Sequence, residues 1–149
     1  MIKVSSTSSV AIICNGKFHH FQQAKELQDR SRLHYIISTY PYFIAKKYGI
    51  ERNKFVSMWY LEIVKRSFRI LFKKEVPFKL YSIVFNYSAI LHALFRKPVP
   101  YYLLQAGYCL DFLLFLKTFS KNSRTILDRG SLHTHKDYEL RSLAREDAS

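Results

Sequence analysis

Three glycine-bearing segments hold the residues best suited to chemistry, and each directly follows a short apolar run. Asn15-Gly16-Lys17-Phe18-His19 follows residues 10–14, Ala106-Gly107-Tyr108 follows residues 101–105, and Arg129-Gly130-Ser131-Leu132-His133 follows residues 125–128. A glycine lets a ligand come close to the backbone, and a polar or cationic neighbour at a helix N-terminus favours an anion. The chemistry this suggests is the holding of an anionic ligand, with Asn15, Gly16, Lys17, His19, Gly107, Arg129, Gly130 and Ser131 as substrate-binding candidates. Gly16 lacks the second and third glycines of a dinucleotide fingerprint, and a plain tight turn explains it equally well.

Other polar residues carry less. His133 and His135 stand two apart, but no cysteine or carboxylate cluster completes a metal set around them, so no metal and no cofactor is expected. His19 and His20 are adjacent on a helical pattern, so their side chains are expected to point in different directions. Asp111 reads as a surface or capping residue. Asp128 and Arg129 fit a mutual ion pair as well as a ligand role.

The elements that must position these residues follow from apolar spacing. Residues 10–14 form a continuous apolar run stopped by Asn15-Gly16, the pattern of a strand buried on both faces. Phe18, Phe21, Ala24 and Leu27 then recur at helical spacing. Residues 34–38 and 54–58 read as the second and third strands; the first of these runs into Thr39-Tyr40-Pro41, where proline cannot continue a central ladder, and a loop follows. Leu61, Val64, Phe68, Leu71 and Phe72 make an apolar stripe opposite Glu62, Lys65, Arg66, Arg69 and Lys73. Pro77 breaks that helix, and Leu80, Ile83, Val84, Tyr87, Leu91 and Leu94 resume the period. Residues 101–105 are a fourth strand, 108–119 a helix, 125–128 a fifth strand, and the charged residues 136–149 a last helix. Alternation of strands and helices predicts an α/β fold: a mostly parallel, Rossmann-like sheet flanked by helices.

The length of 149 residues fits one domain. Twenty-four Lys and Arg against 11 Asp and Glu leave a net charge of +13, with 48% hydrophobic residues and only 4 Gly and 4 Pro, which excludes the disordered, collagenous and low-complexity classes. The charge calls for anionic partners: a nucleotide-sugar diphosphate, anionic lipid headgroups or nucleic acid, the last being the least expected. Between residues 46 and 74, nine Lys or Arg accompany two Glu, and Lys65, Arg66, Arg69 and Lys73 are the candidates for contact with a membrane surface. A plain solvated face accounts for the same residues. Cys14 and Cys109 sit in apolar runs and read as small buried hydrophobes. No signal peptide is expected, and residues 76–95 and 99–116 hold too many polar side chains for membrane spans. A cytoplasmic protein, peripheral at the inner face of the membrane, is the corresponding expectation.

Taken together, Asn15-Gly16-Lys17-Phe18-His19, the helix segment Gln23-Ala24-Lys25-Glu26-Leu27, Thr39-Tyr40-Pro41, Lys47-Tyr48-Gly49-Ile50 and the run from Thr125 to His133 resemble the N-terminal half of a retaining glycosyltransferase of the two-Rossmann (GT-B) type, similar to glycosyltransferase family 4. The resemblance covers residues 10 to about 146. It implies transfer of a sugar from a nucleotide-sugar donor to an acceptor, with this domain as the acceptor-side wall and His133 as the catalytic histidine. Members of that family continue into a second Rossmann domain, with a Glu-x7-Glu signature, that binds most of the nucleotide. The expectation is therefore an incomplete N-terminal half, inactive alone. The alternative is a small basic, non-enzymatic protein that docks on anionic membrane or nucleic acid.

Overall fold

The computed structural model describes residues 9–15 and 19–128. Val10–Cys14 (β1), Leu33–Ser38 (β2), Phe55–Ser57 (β3), Tyr101–Gln105 (β4) and Arg124–Asp128 (β5) form one sheet in the order β3-β2-β1-β4-β5, with every pairing parallel. Between them run the helices His20–Asp29 (α1), Tyr42–Lys47 (α2), Trp59–Phe72 (α3), Phe78–Leu94 (α4) and Leu110–Phe119 (α5). The fold is α/β and Rossmann-like, as the alternation of elements predicts.

The central strand explains the layering. Ala11, Ile12, Ile13 and Cys14 are all fully buried, and the two-residue period of a strand sends alternate side chains to opposite faces. Ile12 and Cys14 pack with Phe21 and Ala24 of α1, and with Ile36, Ala45 and Phe55, on one face. Ala11 and Ile13 pack with Tyr81, Phe85 and Ala89 of α4 and Phe112 and Leu116 of α5 on the other. Each fully buried isoleucine contributes about 1.5–3 kcal/mol. The step from β1 to β2 moves one way across the sheet and the step from β4 to β5 the other, so crossovers of one hand must put α1 and α5 on opposite faces. They lie there.

Cys14 and Cys109 are buried, as their apolar settings suggest. Burial pushes Cys109 up to about 12, and Cys14 higher still.

Three expectations are corrected. The segment after Pro41 is not simply a loop, because Tyr42–Lys47 makes a short helix; six residues are too few for a readable period. In α4 the aliphatic stripe faces outward: Leu80, Ile83, Val84, Tyr87, Leu91 and Leu94 are exposed, and Tyr81, Phe85, Asn86, Ala89 and Ala93 are buried. In α3 only Leu61 of the predicted stripe is buried and Phe68 is half-buried, while Val64, Leu71 and Phe72 are exposed. Both helices are apolar around more of their circumference than the sheet can cover, so periodicity alone could not say which side packs. The expected helix over residues 136–149 lies outside the described residues.

Candidate functional site

In an open parallel sheet the ligand crevice lies beyond the carboxyl ends of the strands, where neighbouring connections leave in opposite directions. Here that point falls between β1 and β4. The chain places a group of polar side chains there.

Asn15 stands at its centre, buried directly after β1. Its backbone N–H donates to Gln105 Oε1 at the end of β4 (2.6 Å), which ties the two diverging strands together. Its side-chain Oδ1 accepts from the hydroxyls of Thr39, after β2 (3.2 Å), and of Tyr81, on α4 (3.0 Å). Those bonds fix the amide orientation and turn its N–H groups away from both hydroxyls. Tyr81 also lies 3.4 Å from Glu62 Oε1, and Lys65 Nζ sits 5.2 Å from the centre of the Tyr81 ring. Burial, with the Glu62 carboxylate beside it, pushes the Tyr81 phenol well above its ordinary range. It is therefore a neutral donor at physiological pH.

Gly107 follows β4 with φ of +92°, and an added Cβ would meet no atom within 4 Å. The glycine is needed there for its backbone conformation alone. The turn it belongs to is held from α4, because Asn86 Nδ2 donates to the Tyr108 carbonyl (2.5 Å) and Asn86 Oδ1 accepts from the Phe112 N–H (3.0 Å).

A second polar group lies beside the first. His19 Nε2 is 2.5 Å from Asp128 Oδ2, His20 Nε2 is 3.4 Å from the same oxygen, and Gln23 Nε2 donates to it at 3.4 Å. The two imidazoles are stacked with centroids 4.4 Å apart. This corrects the expectation that adjacent histidines point apart: both rings gather at the carboxylate that β5 delivers. Burial first, and then the neighbouring His19, push His20 down to about 4, with the Asp128 charge opposing them. Burial alone would raise Asp128. The hydrogen bond and charge of His19, with Gln23 and His20 adding to them, outweigh it and hold the carboxyl below its ordinary value.

Of the predicted site residues, the fold brings Asn15, His19 and Gly107 to this edge of the sheet. Gly16, Lys17, Arg129, Gly130, Ser131, His133 and His135 lie outside the described residues. Sequence reasoning passed over Gln105, Tyr81, Glu62 and Gln23 as site residues. Gln105 carries a local signal, a polar residue closing an apolar strand, whereas Tyr81 carries none. Asp111 is half-buried in the first turn of α5, where a carboxylate suits the helix dipole, but the N-cap position is held by Cys109 and no side-chain cap is made.

The basic helix α3 meets this edge through Glu62 and Lys65, which lie against Tyr81. Arg66, Arg69 and Lys73 are exposed on α3 and at its end, whereas Lys65 is half-buried against Tyr81. Trp59, Ile63, Ile70 and Leu71 are exposed on the same helix, and Ile70 and Leu71 keep three-quarters of their surface in solvent. The outward aliphatic face of α4 adds to this apolar surface. No helix among the described residues is long and apolar enough to cross a membrane.

Comparison with protein-family models, with curated proteins and with solved structures returned no match.

Proposed function

We propose that this domain is the acceptor-side half of a glycosyltransferase of the GT-B, family 4-like type, transferring a sugar from a nucleotide-sugar donor, and that transfer requires a donor-binding domain in addition to it. The observation that carries this reading is the hydrogen-bonded set Asn15, Thr39, Tyr81 and Gln105 at the switch point of a Rossmann-like sheet. Neutral amides and hydroxyls held in fixed orientations suit the hydroxyls of a saccharide acceptor, which are recognised by directional hydrogen bonds rather than by net charge. On this reading Gly107, Gly16, Lys17, Arg129, Gly130 and Ser131 contribute to substrate binding, with His133 as the catalytic histidine. The resemblance of residues 15–19, 23–27 and 125–133 to that family gives the same direction.

The test is sugar transfer from radiolabelled nucleotide-sugars of several bases to saccharide and lipid-linked acceptors. The purified chain is assayed alone and co-expressed with a donor-binding Rossmann domain. The expected result is no turnover by the chain alone, turnover when the second domain is supplied, and at least a tenfold loss of that turnover in Asn15→Ala or Gln105→Ala. Turnover by the chain alone, or a combined activity indifferent to both substitutions, overturns the reading.

A second reading is favoured by the face formed by α3 and α4: peripheral docking on an anionic membrane. Exposed Trp59, Ile63, Ile70 and Leu71 beside Arg66, Arg69 and Lys73 have the composition of a helix that lies in the headgroup region. Each cation near such a surface is worth about 1 kcal/mol. Converting Arg66, Arg69 and Lys73 to glutamate is expected to lower partitioning onto vesicles of one-third phosphatidylglycerol at least tenfold, measured by co-sedimentation. Equal partitioning of variant and parent rejects membrane docking through this face.

A further inference from the structure

The polar cluster where α1 begins and β5 ends is left incomplete by its own hydrogen bonds. His19 and Asp128 satisfy one another. His20, fully buried, has no hydrogen-bond partner at either ring nitrogen among the described residues, and the buried Gln23 Oε1 has none either. A buried polar atom left without a partner costs about 1–3 kcal/mol, so buried polar groups are as a rule satisfied. The atoms also converge. One ligand atom from each of His19, His20 and Asp128 can be chosen so that all lie within 4.8 Å of one another.

We propose that His19 Nε2, His20 Nε2 and a carboxylate oxygen of Asp128 bind a divalent transition-metal ion of the zinc class. Two imidazoles and one carboxylate are a donor set suited to Zn²⁺ and its neighbours, and poorly suited to the all-oxygen preferences of Mg²⁺ and Ca²⁺. Bonds of about 2.0–2.2 Å to one tetrahedral ion hold neighbouring donor atoms about 3.4 Å apart. His20 Nε2 and Asp128 Oδ2 already have that separation, at 3.4 Å. His19 Nε2 and Asp128 Oδ2, at 2.5 Å, stand as close as a shared proton brings them and would spread by about 1 Å when a metal ion replaces that proton.

The chemistry of the donors agrees: a carboxylate brings negative charge to a cation, and an imidazole nitrogen offers it a lone pair. A water carried by the ion would give Gln23 Oε1 the donor it lacks among the described residues. The supports are firm on both sides: Gln23 N–H donates to the His19 carbonyl (3.0 Å) and Ala106 N–H to the Asp128 carbonyl (2.9 Å). The proposal is independent of glycosyl transfer.

The test uses the full chain, freed of metal with a chelator. Zn²⁺ binding is followed by calorimetry, and Co²⁺ is used as a spectroscopic probe through its visible absorption. One Zn²⁺ per chain is expected, binding at micromolar concentration or tighter and raising the melting temperature, with no comparable effect of Mg²⁺. His19→Ala and Asp128→Asn, both at half-buried positions, should each weaken Zn²⁺ at least tenfold and bleach the Co²⁺ spectrum. The double variant His133→Ala/His135→Ala should bind as the parent does. The proposal is overturned if the parent takes up no Zn²⁺ at 100-fold molar excess, if His19→Ala and Asp128→Asn bind as well as the parent, or if the His133/His135 variant alone abolishes binding.

Discussion

Replacing Asn86 with alanine is expected to lower the stability of the domain by about 2–4 kcal/mol, a large share of the 5–15 kcal/mol typical of such folds. Asn86 is fully buried in α4, and its two polar ends join that helix to the turn after β4 and to the first turn of α5. The Phe112 N–H is one of the donors that a helix N-terminus leaves without an intrahelical partner, and Asn86 Oδ1 supplies the acceptor. Truncation orphans that donor in the core and weakens the hold on the Tyr108 carbonyl, which keeps only the longer contact from Ser82 Oγ (3.3 Å). Asn86→Leu separates the contributions, because it restores most of the volume but not the acceptor. Urea unfolding should give both variants a lower midpoint with an unchanged slope, and Ser82→Ala a much smaller shift. Equal midpoints for Asn86→Leu and the parent would mean that the hydrogen bonds contribute nothing net. The turn in question carries Gly107, so the same substitution should loosen the proposed acceptor edge.

How much of this was legible in the chain depends on the range of the interaction. Strands β1, β2 and β4 were visible because residues buried on both faces leave continuous apolar runs, and the helices were visible by their 3.6-residue period. The packed side of α4 was not. Its inner face consists of Tyr81, Phe85, Asn86, Ala89 and Ala93, small and aromatic side chains that let the helix sit close to the sheet, while its most hydrophobic stripe is turned to solvent. A rule that buries the greasiest stripe fails wherever a second surface must also be served. At the site, Asn15 and Gly107 announced themselves as polar or flexible residues just past a strand. Tyr81 reaches Asn15 across 66 positions and Asp128 reaches His19 across 109, and nothing in local spacing encodes such pairings. Adjacent positions on a helix send side chains in different directions, yet the carboxylate of Asp128, delivered from the far end of the described chain, gathers the rings of His19 and His20 together.

Acid should destabilise the metal-free protein well before its carboxylates titrate, and His20 is the main cause. Its folded value of about 4 lies below the ordinary 6.5 that it regains on unfolding. Well above pH 6.5 the imidazole is neutral in both states and contributes no pH dependence. As the pH falls from 6.5 toward 4 the unfolded chain takes up a proton that the buried ring refuses, and each pH unit removes up to about 1.4 kcal/mol of stability. The accumulated loss by pH 4 is about 3 kcal/mol. Asp128 faces His20 together with His19 and Gln23, and its carboxyl is held below its ordinary value. Its contribution is therefore fully present above 3.8 and is lost only as the pH falls below that, which separates the two windows. His34 and His92 are also lowered, each chiefly by burial with Arg96 nearby, and they titrate in the same direction from more exposed positions. His20→Leu removes the titrating group, and with it two of the cluster's three polar atoms that lack a partner among the described residues, without emptying the space. With chelator present so that no metal ion competes for the ring, urea midpoints between pH 7 and pH 4 should fall steeply in the parent and much less in His20→Leu, which should match or exceed the parent's stability at pH 5. Parallel slopes would show that His20 takes up its proton in the folded state, and would require the carboxylate of Asp128 to be close enough to stabilise an imidazolium inside the core.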